Sequence, residues 1–343
     1  MSDLSPSLQE WKNLYEAAIE FKKVKCWNWM QDSDIFGVKN PATGEIGYCC
    51  ILGRLGDYFG LAVYLGTEGF KGYLKLQLGD PESGIETFML QKCLMAAFRD
   101  RTVLQKPDLE QIKKLGLKFR GRKEWPLFRS YLPGYHPWYL TSEEAKFLTL
   151  ALHQAVDVAL RFKEDQDMLE PLDDVYVFVR VPEEENDELR WHDEWLKPPL
   201  IEEEAEFVAE PVDEVRLERL KRIARHEQGT WEIDFFYLAR GAKDGKGRPY
   251  YPYAFIWVDH HSGFIYHSLI VKPSKPEYRS EFMEEFLSFI ENTEVIPDKI
   301  MVSKEELFQL LKPVTSVLDI ELKRSRELKE IEQVKAGMLE FFG

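Results

Sequence analysis

Apolar residues recur along the chain with two different spacings, which predict a mixture of helices and strands. From Leu8 to Lys23 they fall every three or four positions, as on one side of an amphipathic helix, and Ser83–Arg99 shows the same spacing. The runs DIFGVKN and IGYCCILG flank the turn PATGE, and YFGLAVYLG follows them. Short runs of branched and aromatic residues around a glycine turn predict an antiparallel meander of three strands.

The segment Ile112–Leu140 follows neither spacing. It is rich in glycine, proline, aromatic and basic residues, which predicts an irregular ordered loop. Hydroxyl and acidic residues from Thr141 to Glu144 then predict the capped start of a long helix. The runs DVYVFVRV and LRWHDEWL read as paired strands. Residues 1–200 are therefore predicted to form an α+β domain, an antiparallel sheet with helices.

The chain has 343 residues, which is enough for two domains. Residues 201–228 are predicted to form an acidic linker and a helix. In residues 229–343, three strand runs, WEIDFFYLA, YPYAFIWVD and GFIYHSLIV, precede alternating helical and strand patterns. This succession predicts the order β-β-β-α-β-α-β-α, in a mixed-sheet α/β domain with helices on both faces.

The acidic composition restricts which ligands the chain can bind. Its formal net charge is −15, which argues against a general polyanion binder. Residues 181–216 alone hold 14 acidic and three basic residues, a balance of −11 that leaves only −4 for the rest of the chain. A basic site elsewhere is therefore compatible with the acidity of the whole.

The four cysteines form no C-x-x-C pair, which argues against a zinc knuckle and predicts small buried side chains. Cys49 and Cys50 are adjacent in a predicted strand, so their side chains should point to opposite faces. The N-terminus lacks the pattern of a signal peptide, and no stretch approaches 18 apolar residues. We therefore expect a cytoplasmic protein without a membrane partner.

A basic and aromatic run suggests a contact surface. Residues 113–129 hold seven lysines and arginines against one glutamate, with aromatic residues between them. Single-stranded nucleic acid or a phosphorylated ligand is bound by such residues, through charge neutralisation and stacking. The alternative is a loop whose aromatic residues enter the core and whose cations pair with acidic surface. The predicted contact residues are Lys118, Arg120, Arg122, Lys123, Trp125 and Arg129.

The strand order of residues 229–343 resembles that of the ribonuclease-H/integrase superfamily. The resemblance places the first catalytic aspartate of those enzymes at Asp234, in WEIDFF. It also implies a carboxylate after the fourth strand, where this chain has Val302-Ser303-Lys304 with Glu305 as the nearest acid. One interpretation is a degenerate domain without that chemistry, in which Asp234 faces solvent or caps a turn. The alternative is a nuclease or phosphodiesterase that holds Mg²⁺ or Mn²⁺ with Asp234 and with either Glu305 or a glutamate of the last helix.

Asp259, His260 and His261 form the one histidine cluster of the sequence. A zinc or iron site needs three or four convergent ligands, so these residues are a candidate metal site. The alternative is a turn, because Ser262 and Gly263 follow directly and Asp and His are ordinary turn residues.

The stretches from DIFGVKN to GFKGY and from LGLKFRGR to GYHPWYL are similar to an uncharacterised bacterial family of two-domain proteins. The resemblance implies a bacterial origin and the two-domain plan, and it carries no activity. We therefore predict a non-enzymatic binding or interaction protein that needs no cofactor. Nucleic acid or another protein is the expected partner.

Overall fold

The computed structural model describes residues 5–77, 91–171, 173, 175–185, 188–198, 213–238, 240–245, 247–273 and 277–342. The chain forms two compact units, the first from residues 1–133 and 137–200 and the second from residues 134–136 and 201–343. Each unit contains a mixed sheet with its own hydrophobic core, so the chain is a mixed α+β protein. Residues 201–212 of the predicted acidic linker and helix lie outside the described residues.

The first unit is built on a seven-stranded sheet. Its helices are α1 (Leu8–Val24), α2 (Gly66–Gln77), α3 (Lys106–Lys114) and α4 (Ser142–Glu164). Its strands are β1 (Phe36–Lys39), β2 (Ile46–Leu52), β3 (Phe59–Leu65), β4 (Cys93–Arg99), β5 (Trp125–Tyr131), β6 (Val177–Glu185) and β7 (Glu188–Leu196). They lie side by side in the order β5-β4-β3-β2-β1-β6-β7.

This sheet is mixed, so the predicted antiparallel sheet is wrong at one pair. β1 and β6 run parallel, with Gly37 opposite Val179 and Val38 opposite Arg180. The other neighbouring pairs are antiparallel. The long helix α4 lies in the chain before β6, and a strand that is reached through a helical crossover can run in the direction of its neighbour.

The sheet is covered on both faces, which explains why its strands are so apolar. Cys49 belongs to the core cluster on the side of α1 and α4, and Cys50 belongs to the cluster on the side of α2. The predicted opposite orientation of the two thiols is thereby confirmed. Thr141 caps α4 and forms a capping box with Glu144, as its sequence predicted.

Two predictions for the first unit are wrong. The predicted helix Ser83–Arg99 is a strand, β4, where the structure describes it, while residues 83–90 lie outside the described part. β4 is buried on both faces, and a continuous apolar run of this kind cannot be told from a helix by periodicity. The predicted loop Ile112–Leu140 contains the edge strand β5, which pairs with β4 along its whole length.

The second unit contains a five-stranded mixed sheet in the order β10-β9-β8-β11-β12. The pairs from β10 to β8 are antiparallel, and β8, β11 and β12 run parallel. Its helices are α5 (Glu214–Ile223), α6 (Glu277–Thr293), α7 (Glu305–Val317) and α8 (Lys329–Phe342). Its strands are β8 (Arg225–Tyr237), β9 (Tyr253–Asp259), β10 (Ile265–Val271), β11 (Val295–Val302) and β12 (Glu321–Arg324).

The two faces of the central strand β8 carry different side chains. Trp231, Ile233 and Phe235 enter the large core that α5, α6 and α7 share. Glu232 and Asp234, one residue out of phase, are buried on the other face, which α8 covers. None of the helices in the described part of the chain has the length and hydropathy of a membrane span.

Candidate functional site

An open cleft of about 750 Å³ lies in the first unit beside α3. Its apolar lining comes from Leu109 and Ile112 of α3, from Leu117 and Phe119 of the following segment, and from Trp125 at the start of β5. The chain leaves α3 through Gly116, whose φ of +68° favours glycine. This turn brings the segment after the helix back along the cleft.

The two aromatic rings of the cleft are held by contacts with neighbouring side chains. Phe119 stacks on Tyr15 with a centroid distance of 6.2 Å, and it contacts Trp125 at 5.8 Å in a tilted arrangement. The guanidinium carbon of Arg101 lies 5.8 Å from the centroid of the Trp125 ring. Both Phe119 and Trp125 remain partly exposed. The cleft therefore offers fixed aromatic surface to a ligand.

Four cations surround this apolar lining. Arg101 extends from a short 3-10 helix, Lys113 from α3, and Lys118 and Arg120 from the segment that leads to β5. All four side chains are exposed, and none forms an ion pair with a residue that the structure describes. No aspartate or glutamate lines the cleft within the described ranges. A concave apolar surface whose charged side chains are all positive raises the local concentration of anions.

Three of the six predicted contact residues lie in this cleft, namely Lys118, Arg120 and Trp125. Arg129 is not available to a ligand, because it is 8% exposed and binds both carboxylate oxygens of Asp108 at 2.9 and 2.7 Å. The ammonium of Lys123 donates to the carbonyl of Gly56 at 2.6 Å. Arg129 thus has an acidic partner, as in the alternative that the sequence left open, whereas Lys123 is bound to a backbone carbonyl.

The remaining predicted cation, Arg122, is exposed outside the cleft and lies 3.8 Å from a carboxylate oxygen of Asp100. Two lining cations were missing from the predicted contact residues. Lys113 belongs to the basic run, but its position on α3 had to be known before it could be assigned to the cleft. Arg101 lies outside that run, and only the pairing of β4 with β5 places it beside Trp125.

Asp234 of β8 occupies a second charged site, in the second unit. The residue is 1% exposed and lies within the strand, so the expectation that it faces solvent or caps a turn in a degenerate domain is wrong. Its Oδ1 accepts from the ammonium of Lys304 at 3.0 Å, and its Oδ2 accepts from the hydroxyl of Ser303 at 2.9 Å. The ammonium of Lys335, from α8, lies 3.5 Å from Oδ2. Two cations and a hydroxyl therefore compensate one buried carboxylate.

Both lysines are held in place by further contacts. Lys304 also donates to the carbonyl of Phe235 at 2.5 Å, and Lys335 donates to Glu332 at 2.8 Å. Burial lowers the pKa of Lys335, but the charge of Asp234 and the contact with Glu332 outweigh it, so the pKa is raised overall. Lys335 therefore stays charged next to Asp234 over the whole physiological range.

This arrangement does not fit a divalent cation. Ammonium groups lie where a metal ion bound to Asp234 would need further carboxylates, and they would repel it. The other carboxylate of the predicted pair, Glu305, is bound to Gln309 at 2.6 Å and to Arg324. Within the part of the chain that the structure describes, no group of three or more His, Cys, Asp or Glu is placed to hold a metal.

The side chains of the predicted cluster, Asp259, His260 and His261, do not converge on one point. Asp259 accepts from the backbone of His261 and Ser262 and from the Ser262 hydroxyl, at 3.1, 2.7 and 2.7 Å. Burial raises the pKa of Asp259, but these hydrogen bonds lower it by more. His261 is exposed, and His260 turns to Glu232.

Glu232 is a buried functional group that the sequence did not reveal. It is fully buried, and its Oε1 lies 2.5 Å from Nδ1 of His260. Its Oε2 accepts from the backbone amides of Glu330 and Ile331, each at 3.0 Å. Glu232 thus caps the N-terminus of α8, where free amides and the helix dipole favour a negative charge.

Comparison with family models gives two matches, both to domains without an assigned function. Residues 11–180 match the family described as Domain of unknown function (DUF7309). Residues 216–339 match the family described as Domain of unknown function (DUF6930). The comparison with curated proteins found no match.

Solved structures show a distant likeness. The HTLV-2 integrase catalytic core domain in complex with magnesium has 18% identity and a TM-score of 0.24, over 32% of this chain and 65% of that one. The simian T-cell lymphotropic virus intasome with PP2A regulatory subunit B56 gamma has 18% identity and a TM-score of 0.25, over 35% and 44%. A pre-cleavage Mos1 transpososome has 12% identity and a TM-score of 0.22, over 58% and 60%. The chain thus spans less than two thirds of each of these proteins.

Proposed function

We propose that this chain is a non-enzymatic binding protein whose first unit takes an anionic ligand in the cleft beside α3. The observation that carries the proposal is the set of four exposed cations around an aromatic lining, without an ion-pair partner among the described residues. In this proposal residues 1–200 are the binding domain. Residues 229–343 are a ribonuclease-H-like domain that lacks two-metal chemistry.

The net charge of −15 does not conflict with this proposal. Charges are screened over about 8 Å at physiological ionic strength, so a ligand in contact with the cleft responds mainly to the charges nearest to it. Those charges are Arg101, Lys113, Lys118 and Arg120. The acidic remainder of the molecule opposes non-specific binding of polyanions elsewhere, which favours one site over many.

The surroundings of Asp234 support a scaffold role for the second unit. Two-metal enzymes use carboxylates to hold two cations about 3.5–4 Å apart. Here Lys304 and Lys335 supply the positive charge from the protein itself, at 3.0 and 3.5 Å from Asp234. A carboxylate that is neutralised in this way contributes to stability and is not free to bind a metal.

The proposal is tested by titrating the full chain with a fluorescent polyanion, a labelled single-stranded oligonucleotide, at several salt concentrations. We expect binding that weakens with salt, with a slope of log K against log salt of about −3 if four phosphates are neutralised at roughly 0.7 each. Lys118→Ala and Arg120→Ala should each reduce the magnitude of this slope by about 0.7, the share of one phosphate contact.

Two matched variants control for the loss of charge as such. Lys114→Ala removes an exposed lysine from the same helix as Lys113, and Arg122→Ala removes an exposed arginine two residues from Arg120. Neither residue lines the cleft, so both variants should bind like the unchanged protein. If all four variants weaken binding equally, or if no salt-dependent binding occurs, the cleft is not the site that we propose.

A further inference from the structure

We infer that the ligand of this cleft is single-stranded nucleic acid, bound with a base stacked on Trp125 and with phosphates at the cationic rim. The inference rests on the proposed function and adds the chemical class of the ligand. An anion alone would require the cations and nothing more. The cleft also presents an apolar, partly aromatic lining, which an inorganic or aliphatic polyanion would leave exposed to water.

The segment from Leu117 to Arg120 carries the argument through its alternation. Leu117 and Phe119 are partly buried, whereas Lys118 and Arg120 are exposed. The same short segment therefore presents apolar side chains to the lining and cations to the rim. A single strand of nucleic acid has flat bases on one side, which would contact the apolar lining, and phosphates on the other, which would contact the cations.

Trp125 is the stacking platform. Its ring is held against Phe119, and the guanidinium of Arg101 lies over it at 5.8 Å. Arg101 is exposed, so its side chain can turn away from the ring and cover the outer face of an inserted base. Aromatic and arginine side chains are the groups on which unpaired bases stack. A duplex hides its base faces, and an acidic peptide has none.

The experiment compares four labelled probes on the full chain, with each probe titrated at several salt concentrations. They are an oligothymidine, an abasic strand of the same length, the corresponding duplex, and polyglutamate. Stacking of one base contributes enough to make the oligothymidine bind roughly 5- to 150-fold more tightly than the abasic strand. The duplex and polyglutamate should bind no more tightly than the abasic strand.

Variants of Trp125 locate the effect. Trp125→Leu should abolish the preference for oligothymidine over the abasic strand without changing the affinity for the abasic strand. Trp125→Phe should retain most of the preference. Trp195→Leu is the control, because Trp195 is a 41% exposed tryptophan on β7, outside the cleft. The comparison of probes on the unchanged protein decides the question even if a Trp125 variant folds poorly.

Two kinds of result would overturn the inference. Only the second would also overturn the proposed function. If all probes bind with equal affinity that falls as the salt concentration rises, or if polyglutamate binds most tightly, the ligand is not nucleic acid. The proposed anion-binding cleft is then retained. If none of the probes shows salt-dependent binding, the proposed function fails and the inference fails with it.

Discussion

A carboxylate buried in a sheet requires compensation, and Asp234 obtains it from groups far away in the sequence. Lys304 follows β11, and Lys335 lies 101 residues from Asp234, on α8. The local sequence WEIDFF shows that an acid occurs in a strand, but not which charges meet it. The sequence therefore predicted that Asp234 lies in a strand, while the two lysines that decide its chemistry depended on the pairing of β11 with β8 and on the packing of α8.

Replacing Asp234 by asparagine should destabilise the protein by about 3 kcal/mol, because it leaves two partly buried ammonium groups without their counter-charge. Urea unfolding measures this loss. The double variant Asp234→Asn, Lys335→Met should lose less than the sum of its single variants, with a coupling of about 0.5–3 kcal/mol. Strict additivity would mean that Lys335 does not interact with Asp234.

The four thiols give a second prediction at the residue scale. Burial raises the pKa of Cys26 and of Cys50 to about 12, and it raises the pKa of Cys49 and Cys93 as well. Because the thiolate is the reactive form, the folded protein should not react with a thiol reagent at mildly alkaline pH. In the chain unfolded in urea, all four thiols should react with the reagent. Rapid labelling of a folded-state thiol would contradict the buried positions.

At the scale of elements, prediction succeeded where a local signal fixes the structure. Thr141 and Glu144 form the capping box that starts α4, and both partners lie within four residues. It failed where burial on both faces erased the alternation, as in β4. It failed again at β5, whose sequence WPLFRSY contains proline and has strand character only because it pairs with β4. The cleft could not be predicted for the same reason, because the pairing of β4 with β5 positions Trp125.

The start of α8 depends on a residue of another element, Glu232 of β8. Glu232→Gln keeps the shape of the side chain but removes the charge that faces His260 and the helix N-terminus. We expect a loss of about 2 kcal/mol in the free energy of unfolding, since a hydrogen bond to a charged group contributes about 1.5–3 kcal/mol. Hydrogen exchange should report faster exchange of the amides of Glu330 and Ile331.

Glu327→Gln is the matched control for this prediction. Glu327 is an exposed glutamate just before α8, so its replacement should change stability by less than about 0.5 kcal/mol. An equal effect of both variants would show that Glu232 acts through general charge and not as a cap.

At the scale of the whole molecule, charge is distributed unevenly and in two different ways. In the cleft of the first unit, cations are exposed and have no carboxylate among the described lining residues. In the second unit, two cations form ion pairs with a buried carboxylate. The first arrangement leaves positive charge for a ligand, and the second leaves no negative charge for a metal. Both arrangements support the proposal of a binding protein whose second unit lacks two-metal chemistry.

The two lysines around Asp234 should keep divalent metals from binding there. Millimolar Mg²⁺ or Mn²⁺ should not raise the melting temperature of the full chain, and it should not bring about cleavage of single-stranded or duplex DNA. In the double variant Lys304→Asp, Lys335→Glu, three carboxylates replace one carboxylate and two cations. That variant should be less stable than the unchanged protein without metal, because its buried like charges repel one another.

Mn²⁺ should restore part of the stability of the double variant, because a ligand that binds only the folded state raises stability by RT ln(1 + [L]/Kd). At a free Mn²⁺ concentration about 100 times Kd this amounts to about 2.7 kcal/mol. Metal-dependent stabilisation of the double variant, with none in the unchanged chain, would show that the lysines stand in place of cations. Stabilisation or DNA cleavage in the unchanged chain would instead show that Asp234 can exchange its lysines for a metal, and the nuclease alternative would then hold.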